Sequence, residues 1–212
     1  MLRQTLESLR LFLDLFRDVP PMPKKTFLPG MVLIVAYPLL SVLLGPGEDG
    51  QAFVTSFLLA LAVRIGVRFE GMVTKLLEQF NRRETVVMAI LVAMGPLFLL
   101  ASVDDPLWCQ RSQSAYYIIL GSMFVSDMLA NRHDMAARFW PWPEMQPHLP
   151  VMTRVMVLFN LGFLLLNETM IRVVEPSHWL LYWAVLPVLA HVILSALILT
   201  VINTEDDGTA YR

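Results

Sequence analysis

Residues 160–172 read NLGFLLLNETMIR, which is typical of a membrane-spanning helix but carries Asn160, Asn167, Glu168 and Arg172 among its apolar residues. Polar and ionisable side chains cost about 2.5–3.5 kcal/mol each in hydrocarbon on insertion scales, so they normally face a partner, a cavity or one another. This stretch therefore predicts a transmembrane helix, and it is the first place to look for a functional site.

The composition of the whole chain agrees with a membrane location. Of 212 residues, 56% are hydrophobic and 16% are charged, and the mean hydropathy is +0.59. Soluble domains carry about 25% charged residues. We therefore expect an all-α integral membrane protein.

Six apolar stretches come close to the length of about 20 residues that a transmembrane helix requires. They run roughly over residues 27–45, 52–69, 86–103, 113–130, 151–174 and 179–202, within a predicted transmembrane domain of residues 26–203. The second and fourth stretches are the least regular, because Arg64 and Arg68 interrupt one and Asp127 interrupts the other. A polar tail, residues 204–212, follows the domain.

The basic residues give the expected orientation. In the six-span arrangement, fourteen of the sixteen Lys and Arg residues fall on one side of the membrane, and only Arg111 and Arg172 fall on the other. Basic residues collect on the cytoplasmic side of membrane proteins. Both termini are therefore predicted to be cytoplasmic.

A different kind of helix is predicted before the first span. Between residues 2 and 18, charged residues recur every three or four positions, and an apolar series recurs on a neighbouring face: Leu2, Leu6, Leu9, Leu13 and Phe16. This pattern is typical of a helix that lies on the membrane surface or binds the groove of a partner, and the sequence leaves both open. With the proline-containing linker that follows, it forms a predicted interfacial segment over residues 1–25.

The sequence contains none of the common nucleotide-binding, zinc-protease or acyl-transfer motifs, and the single Cys109 excludes an internal disulfide. His191 lies near the middle of the last span, but no second histidine at similar depth could complete a bis-histidine haem site. We expect His191 to hydrogen-bond to another helix, for instance to Asn160 or Ser195. These observations predict a non-enzymatic protein with no cofactor, no metal and no nucleic-acid partner.

The polar residues of the fifth span allow two interpretations. Glu168 and Arg172 are four residues apart on one helical face, so an ion pair between them would hold this helix against its neighbours. Alternatively, Glu168 binds a proton, a cation or a lipid head group, and Asn160 and Asn167, seven residues apart, extend a polar stripe along the helix.

Four arginines form a second group of candidates. Arg64 and Arg68 lie one turn apart in the second span, and Arg82 and Arg83 lie before the third. They are candidate contacts for the phosphate of anionic lipids, although snorkelling to the interface and the positive-inside rule would also explain their positions.

Two segments resemble one protein family. FLPGMVLIVAY at 27–37 is similar to the opening span of bacterial intracellular septation protein A, and LLNETMIR at 165–172 resembles the Leu-Asn-Glu segment of that family's penultimate helix. The resemblance would extend over roughly residues 27–202, and membership of a related bacterial inner-membrane family is an alternative.

The resemblance implies a multi-pass protein of the bacterial inner membrane, connected with septation and the cell envelope. It would act as a scaffold or accessory subunit through contacts with membrane lipids and with other membrane proteins or copies of itself. A small transporter or lipid-handling protein with a polar site at Asn160, Asn167 and Glu168 is the alternative function.

Overall fold

A computed structural model of the protein describes residues 21–79 and 81–206. The helices are α1 (Leu28–Leu44), α2 (Asp49–Gln79), α3 (Arg82–Val103), α4 (Pro106–Leu129), α5 (Asp134–Phe139), α6 (Leu149–Val173) and α7 (Pro176–Asp206), with 3-10 turns at Lys24–Phe27 and Pro143–His148. No strand occurs within the described residues. The all-α prediction is confirmed, whereas the predicted interfacial helix over residues 2–18 lies outside the described residues.

Within residues 21–79 and 81–206, five helical segments are long and apolar enough to cross a membrane: Lys24–Leu44, Asp49–Thr74, Arg82–Val103, Pro143–Val173 and Pro176–Val201. They match five of the six predicted spans. The remaining predicted span, residues 113–130, is helical within α4, but α4 is not among these five segments. A multi-pass membrane protein is therefore the fold that the chain adopts.

The helix ends follow local chemistry. Asn81 forms a capping box at the start of α3, because its Oδ1 accepts from the Glu84 amide at 3.0 Å and the Glu84 carboxylate accepts from the Asn81 amide at 3.3 Å. Asp104 ends α3 in the left-handed conformation, at φ 48°. The side chain of Asp105 then accepts from the Leu107 amide at 2.8 Å in the first turn of α4.

The chain divides into two compact units. The first unit comprises Pro23–Gln113 and Glu168–Pro187, and the second comprises Ser114–Asn167 with residues 188–206. Helices α4, α6 and α7 each contribute one part to each unit.

Aromatic packing builds the core of the first unit. Phe57 of α2 lies 5.9 Å from the ring of Trp179 and 5.3 Å from that of Trp183, both on α7. Leu33 of α1 and Leu100 of α3 are buried in the same cluster. Large aromatic side chains therefore lie at the centre of a cluster to which five helices contribute, since Cys109 of α4 also belongs to it.

In the second unit, α4 and α6 pack together, and the segment between them folds back on their ends. Trp140 and Met145 of that segment are buried with Phe124 of α4 and with Met152 and Met156 of α6. Many large apolar side chains of the spans are exposed; Val42 is 81% exposed, Phe98 76% and Leu158 68%. A surface of this kind fits contact with lipid rather than with water.

Candidate functional site

Helix α4 presents several of its polar side chains to the protein interior. Gln113, Ser114 and Asp127 are 5%, 5% and 8% exposed, whereas Ile118 and Ile119 of the same helix are 55% and 63% exposed. This is the reverse of a helix in a soluble protein, which turns its apolar face inward. Part of the low hydropathy of α4 therefore comes from buried polar residues.

The first polar cluster, which we call the asparagine cluster, consists of Ser114, Gly121, Asn160 and Asn167 in the second unit. Asn167 is fully buried, and its Nδ2 donates to the Ser114 Oγ over 2.8 Å. A Cβ atom placed on Gly121 would lie 3.2 Å from the Asn160 Cβ, so the backbone of α4 approaches α6 closely at this point. The two polar positions predicted on α6 are therefore brought to one buried face.

The pairing of these residues fixes the register of the two helices. Ser114 and Gly121 are seven residues apart on α4, and their partners Asn167 and Asn160 are seven apart on α6 in the opposite order. The Tyr117 ring stacks 5.8 Å from Phe163 between these two points. Helices α4 and α6 are therefore antiparallel, with contacts that recur at the heptad spacing.

Asn160 is the least satisfied member of the cluster. Its Nδ2 donates to the Met156 carbonyl of its own helix over 2.7 Å. Its Oδ1 is buried and has no hydrogen-bond partner within the described part of the chain. A buried acceptor without a partner costs about 1–3 kcal/mol, so Asn160 is a position where an additional donor would bind favourably.

The other predicted members of this site lie differently. Glu168 is half-buried next to Asn167 on α6, Arg172 is exposed near the end of that helix, and His191 is half-buried on α7. The ion pair between Glu168 and Arg172 and the hydrogen bonding of His191 to Asn160 or Ser195 stay predictions.

The second polar cluster, the arginine cluster, consists of Arg64, Gln113 and Trp183 in the first unit. The Gln113 Oε1 accepts from Trp183 Nε1 at 3.1 Å and from Arg64 Nη1 at 3.4 Å. The Arg64 guanidinium lies 5.4 Å from the centre of the Trp183 ring. A cation over a tryptophan face is stabilised by the ring quadrupole, so this cluster lowers the cost of an arginine within a membrane span.

The four predicted lipid-binding arginines therefore differ in their surroundings. Arg68, Arg82 and Arg83 are exposed, whereas Arg64 is half-buried and contacts Gln113 and Trp183. Sequence reasoning singled out neither Gln113 nor Trp183. The spacing of Gln110, Gln113 and Ser114, which places all three on neighbouring positions of one helical face, was the available signal.

These clusters offer hydrogen bonding between helices rather than a reaction centre. Among the residues that the structure describes, no group of three or more His, Cys, Asp and Glu side chains could hold a metal ion. A groove of about 390 Å³ between α6 and α7 is lined by apolar residues such as Phe159, Phe163 and Leu197. Comparisons of the chain with protein-family models, with curated proteins and with solved structures found no match.

Proposed function

We propose that this protein is a non-enzymatic, six-span scaffold or accessory subunit of a membrane complex in the bacterial cell envelope. The hydrogen bond from Asn167 to Ser114 carries the proposal, because it uses a fully buried polar side chain of α6 to hold another helix. The Trp183–Gln113 bond has the same role in the other unit. Polar interiors used in this way hold the helices of each unit together and leave their outer surfaces to lipids and partners.

The pairing of α4 with α6 supports the sixth span. Contacts between these helices run from Ser114 with Asn167 to Gly121 with Asn160, and α6 belongs to an apolar segment long enough to cross the membrane. A helix that packs alongside a spanning helix over this distance shares its depth in the bilayer. The buried polar face and apolar outer face of α4 suit that position.

The proposal includes the orientation of the protein in the membrane, its contacts with lipids and its family. The distribution of Lys and Arg supports cytoplasmic termini, and the exposed Arg68, Arg82 and Arg83 suit contact with lipid phosphates. The resemblance of residues 27–37 and 165–172 to intracellular septation protein A supports the inner membrane and a role in septation.

The test is co-purification of partners after cross-linking in native membranes. Leu9→Asp/Leu13→Asp places two charges on the apolar face of the N-terminal segment, and Gln4→Asp/Ser8→Asp places two charges off that face. We expect the first variant to lose proteins that wild type and the second variant retain, with the melting temperature of the bundle unchanged. Identical cross-linked products in all three proteins would contradict the scaffold function.

One observation favours the alternative of a small transporter. The Asn160 Oδ1 is a buried acceptor that a transported proton donor or cation could use, and Glu168 lies further along the same helix. Ion-dependent uptake into vesicles that disappears in Glu168→Gln, and persists in the exposed Glu175→Gln, would replace the scaffold proposal with this one.

A further inference from the structure

The segment between α4 and α6, residues 131–148, is held firmly against the second unit. It contains α5 and the 3-10 turn Pro143–His148. Trp140 and Met145 of the segment are 6% and 5% exposed and pack into the cluster around Phe124. This connection is therefore a folded element with a core of its own.

Polar contacts fix the start of the segment to both neighbouring helices. The Asp127 carboxylate accepts from the Met135 amide over 2.7 Å, and the Asp127 carbonyl accepts from the Arg132 amide over 2.8 Å. The Thr153 hydroxyl donates to the Leu149 carbonyl at 2.8 Å, so it can only accept at its 3.1 Å contact with His133 Nδ1. His133 Nδ1 therefore carries a hydrogen and ties the segment to α6.

Two large aromatic side chains point outward from this fixed segment. Phe139 is 47% exposed and Trp142 is 56% exposed. Trp142 directly precedes Pro143, the first residue of an apolar segment long enough to cross the membrane. Tryptophan at such a boundary sits at the level of the lipid head groups.

Arg154 independently indicates that this part of the protein lies at the level of the lipid head groups. Arg154 is exposed on α6, five residues after the helix begins at Leu149, and α6 rises about 1.5 Å per residue. An arginine that faces outward from an apolar helix near its end extends its guanidinium toward the head groups. Leu158, one turn deeper on the same helix, is 68% exposed and apolar.

We propose that Phe139, Trp142 and Arg154 form an interfacial platform, a set of exposed side chains at the head-group level of one leaflet, where Arg154 binds the phosphate of a phospholipid. Arg154 contacts the lipid phosphate, and the two aromatic rings lie along the glycerol and the upper acyl chains. Trp140 and Met145 are buried on either side of Trp142, so the backbone that carries the two aromatic rings is fixed before the lipid arrives. This surface goes beyond the proposed scaffold function and does not depend on it.

The depth of the platform can be measured directly. An environment-sensitive fluorophore is attached to Phe139→Cys or, as the matched control, to Leu158→Cys. The native Cys109 is fully buried and does not compete for the label. Each labelled protein is reconstituted in nanodiscs of phosphatidylcholine. The nanodiscs carry a spin label either on the head group or at the middle of the acyl chain. We expect the head-group label to quench position 139 most strongly and the mid-chain label to quench position 158. Position 139 quenched by neither label, but by aqueous iodide, would overturn the proposal.

The phosphate contact has its own test. Native mass spectrometry after release from detergent compares wild type, Arg154→Gln and Leu158→Ala, with thermal melting as a check of folding. We expect Arg154→Gln to lose at least one retained phospholipid while Leu158→Ala keeps it. Equal lipid retention in Arg154→Gln and wild type, both folded, would remove Arg154 from the site.

Discussion

The amide of Asn167 on α6 donates a 2.8 Å hydrogen bond to the hydroxyl of Ser114 on α4, and both residues are buried. Hydrogen bonds between transmembrane helices contribute about 0.6 kcal/mol on average and about 1.7 kcal/mol at most in double-mutant cycles. The bond therefore fixes which faces of the two helices meet, while most of the stability comes from packing around it.

We expect Ser114→Ala and Asn167→Val to be coupled by about 0.6–1.7 kcal/mol. Each single variant leaves the other partner's polar atom buried, whereas the double variant removes both. The measurement is reversible unfolding in mixed micelles titrated with sodium dodecyl sulfate. Ser122→Ala is the control, because Ser122 is exposed and donates to the Ile119 carbonyl of its own helix. Additive losses in the double variant would mean that the pair does not interact.

Because α4 and α6 approach closely at Gly121, we expect a glycine-to-valine substitution to destabilise the protein more there than at Gly162. Gly121→Val should destabilise the protein by about 1–3 kcal/mol, because its side chain would meet Asn160 at a distance too short for normal packing. Gly162→Val changes helix propensity in the same way but meets nothing within 4 Å. Thermal melting in detergent compares the two, and equal shifts would contradict the antiparallel register described above.

In the arginine cluster, we expect a second substitution to reverse part of the destabilisation that a first one causes. Gln113→Leu removes the oxygen that accepts from both Trp183 and Arg64, and it should cost about 1–3 kcal/mol because buried donors lose their acceptor. Adding Arg64→Met should restore part of this loss by removing the charge. Unfolding of the single and double variants tests this, with the exposed Gln51→Leu as control. A double variant less stable than Gln113→Leu would show that Arg64 stabilises the bundle without Gln113.

Cys109 should resist alkylation in the folded protein. Burial, with further contributions from the negative charges of Asp105 and Asp104, raises the pKa of the Cys109 thiol to about 12. The thiolate is the reactive form, so raising the pH to 9 should not produce labelling, whereas denaturation in detergent should. Mass spectrometry after maleimide treatment measures the fraction of protein that is labelled. Stoichiometric labelling of folded protein would contradict the burial of Cys109.

The six-span topology can then be tested on this unreactive background. An impermeant maleimide added to intact cells should label Glu48→Cys and Glu175→Cys, whereas Asn131→Cys should be labelled only after the membrane is permeabilised. If α4 did not cross the membrane, Asn131→Cys would share the side of Glu48→Cys, and Glu175→Cys would lie opposite. The two topologies therefore give different patterns at two independent positions.

Hydropathy located five of the spans because their outward faces are apolar, as the exposed Val42 and Phe98 show. Hydropathy could not reveal the hydrogen-bond partners of the buried polar residues. Trp183 and Gln113 are 70 residues apart in sequence, and only the packing of α7 near α4 brings them together. Asn160 and Asn167 could be placed on one face from their spacing alone, whereas their partners Ser114 and Gly121 depend on the helix register.

The inward-facing polar residues of α4 have a consequence for biogenesis. A segment carrying Gln113, Ser114 and Asp127 partitions poorly into lipid while it is alone, and its partner α6 is synthesised only afterwards. If α4 crosses the membrane as proposed, we expect the nascent α4 to stay near the translocation channel until Asn160 and Asn167 emerge. Insertion would then be cooperative between α4 and α6, and the chain order would set a delay between them.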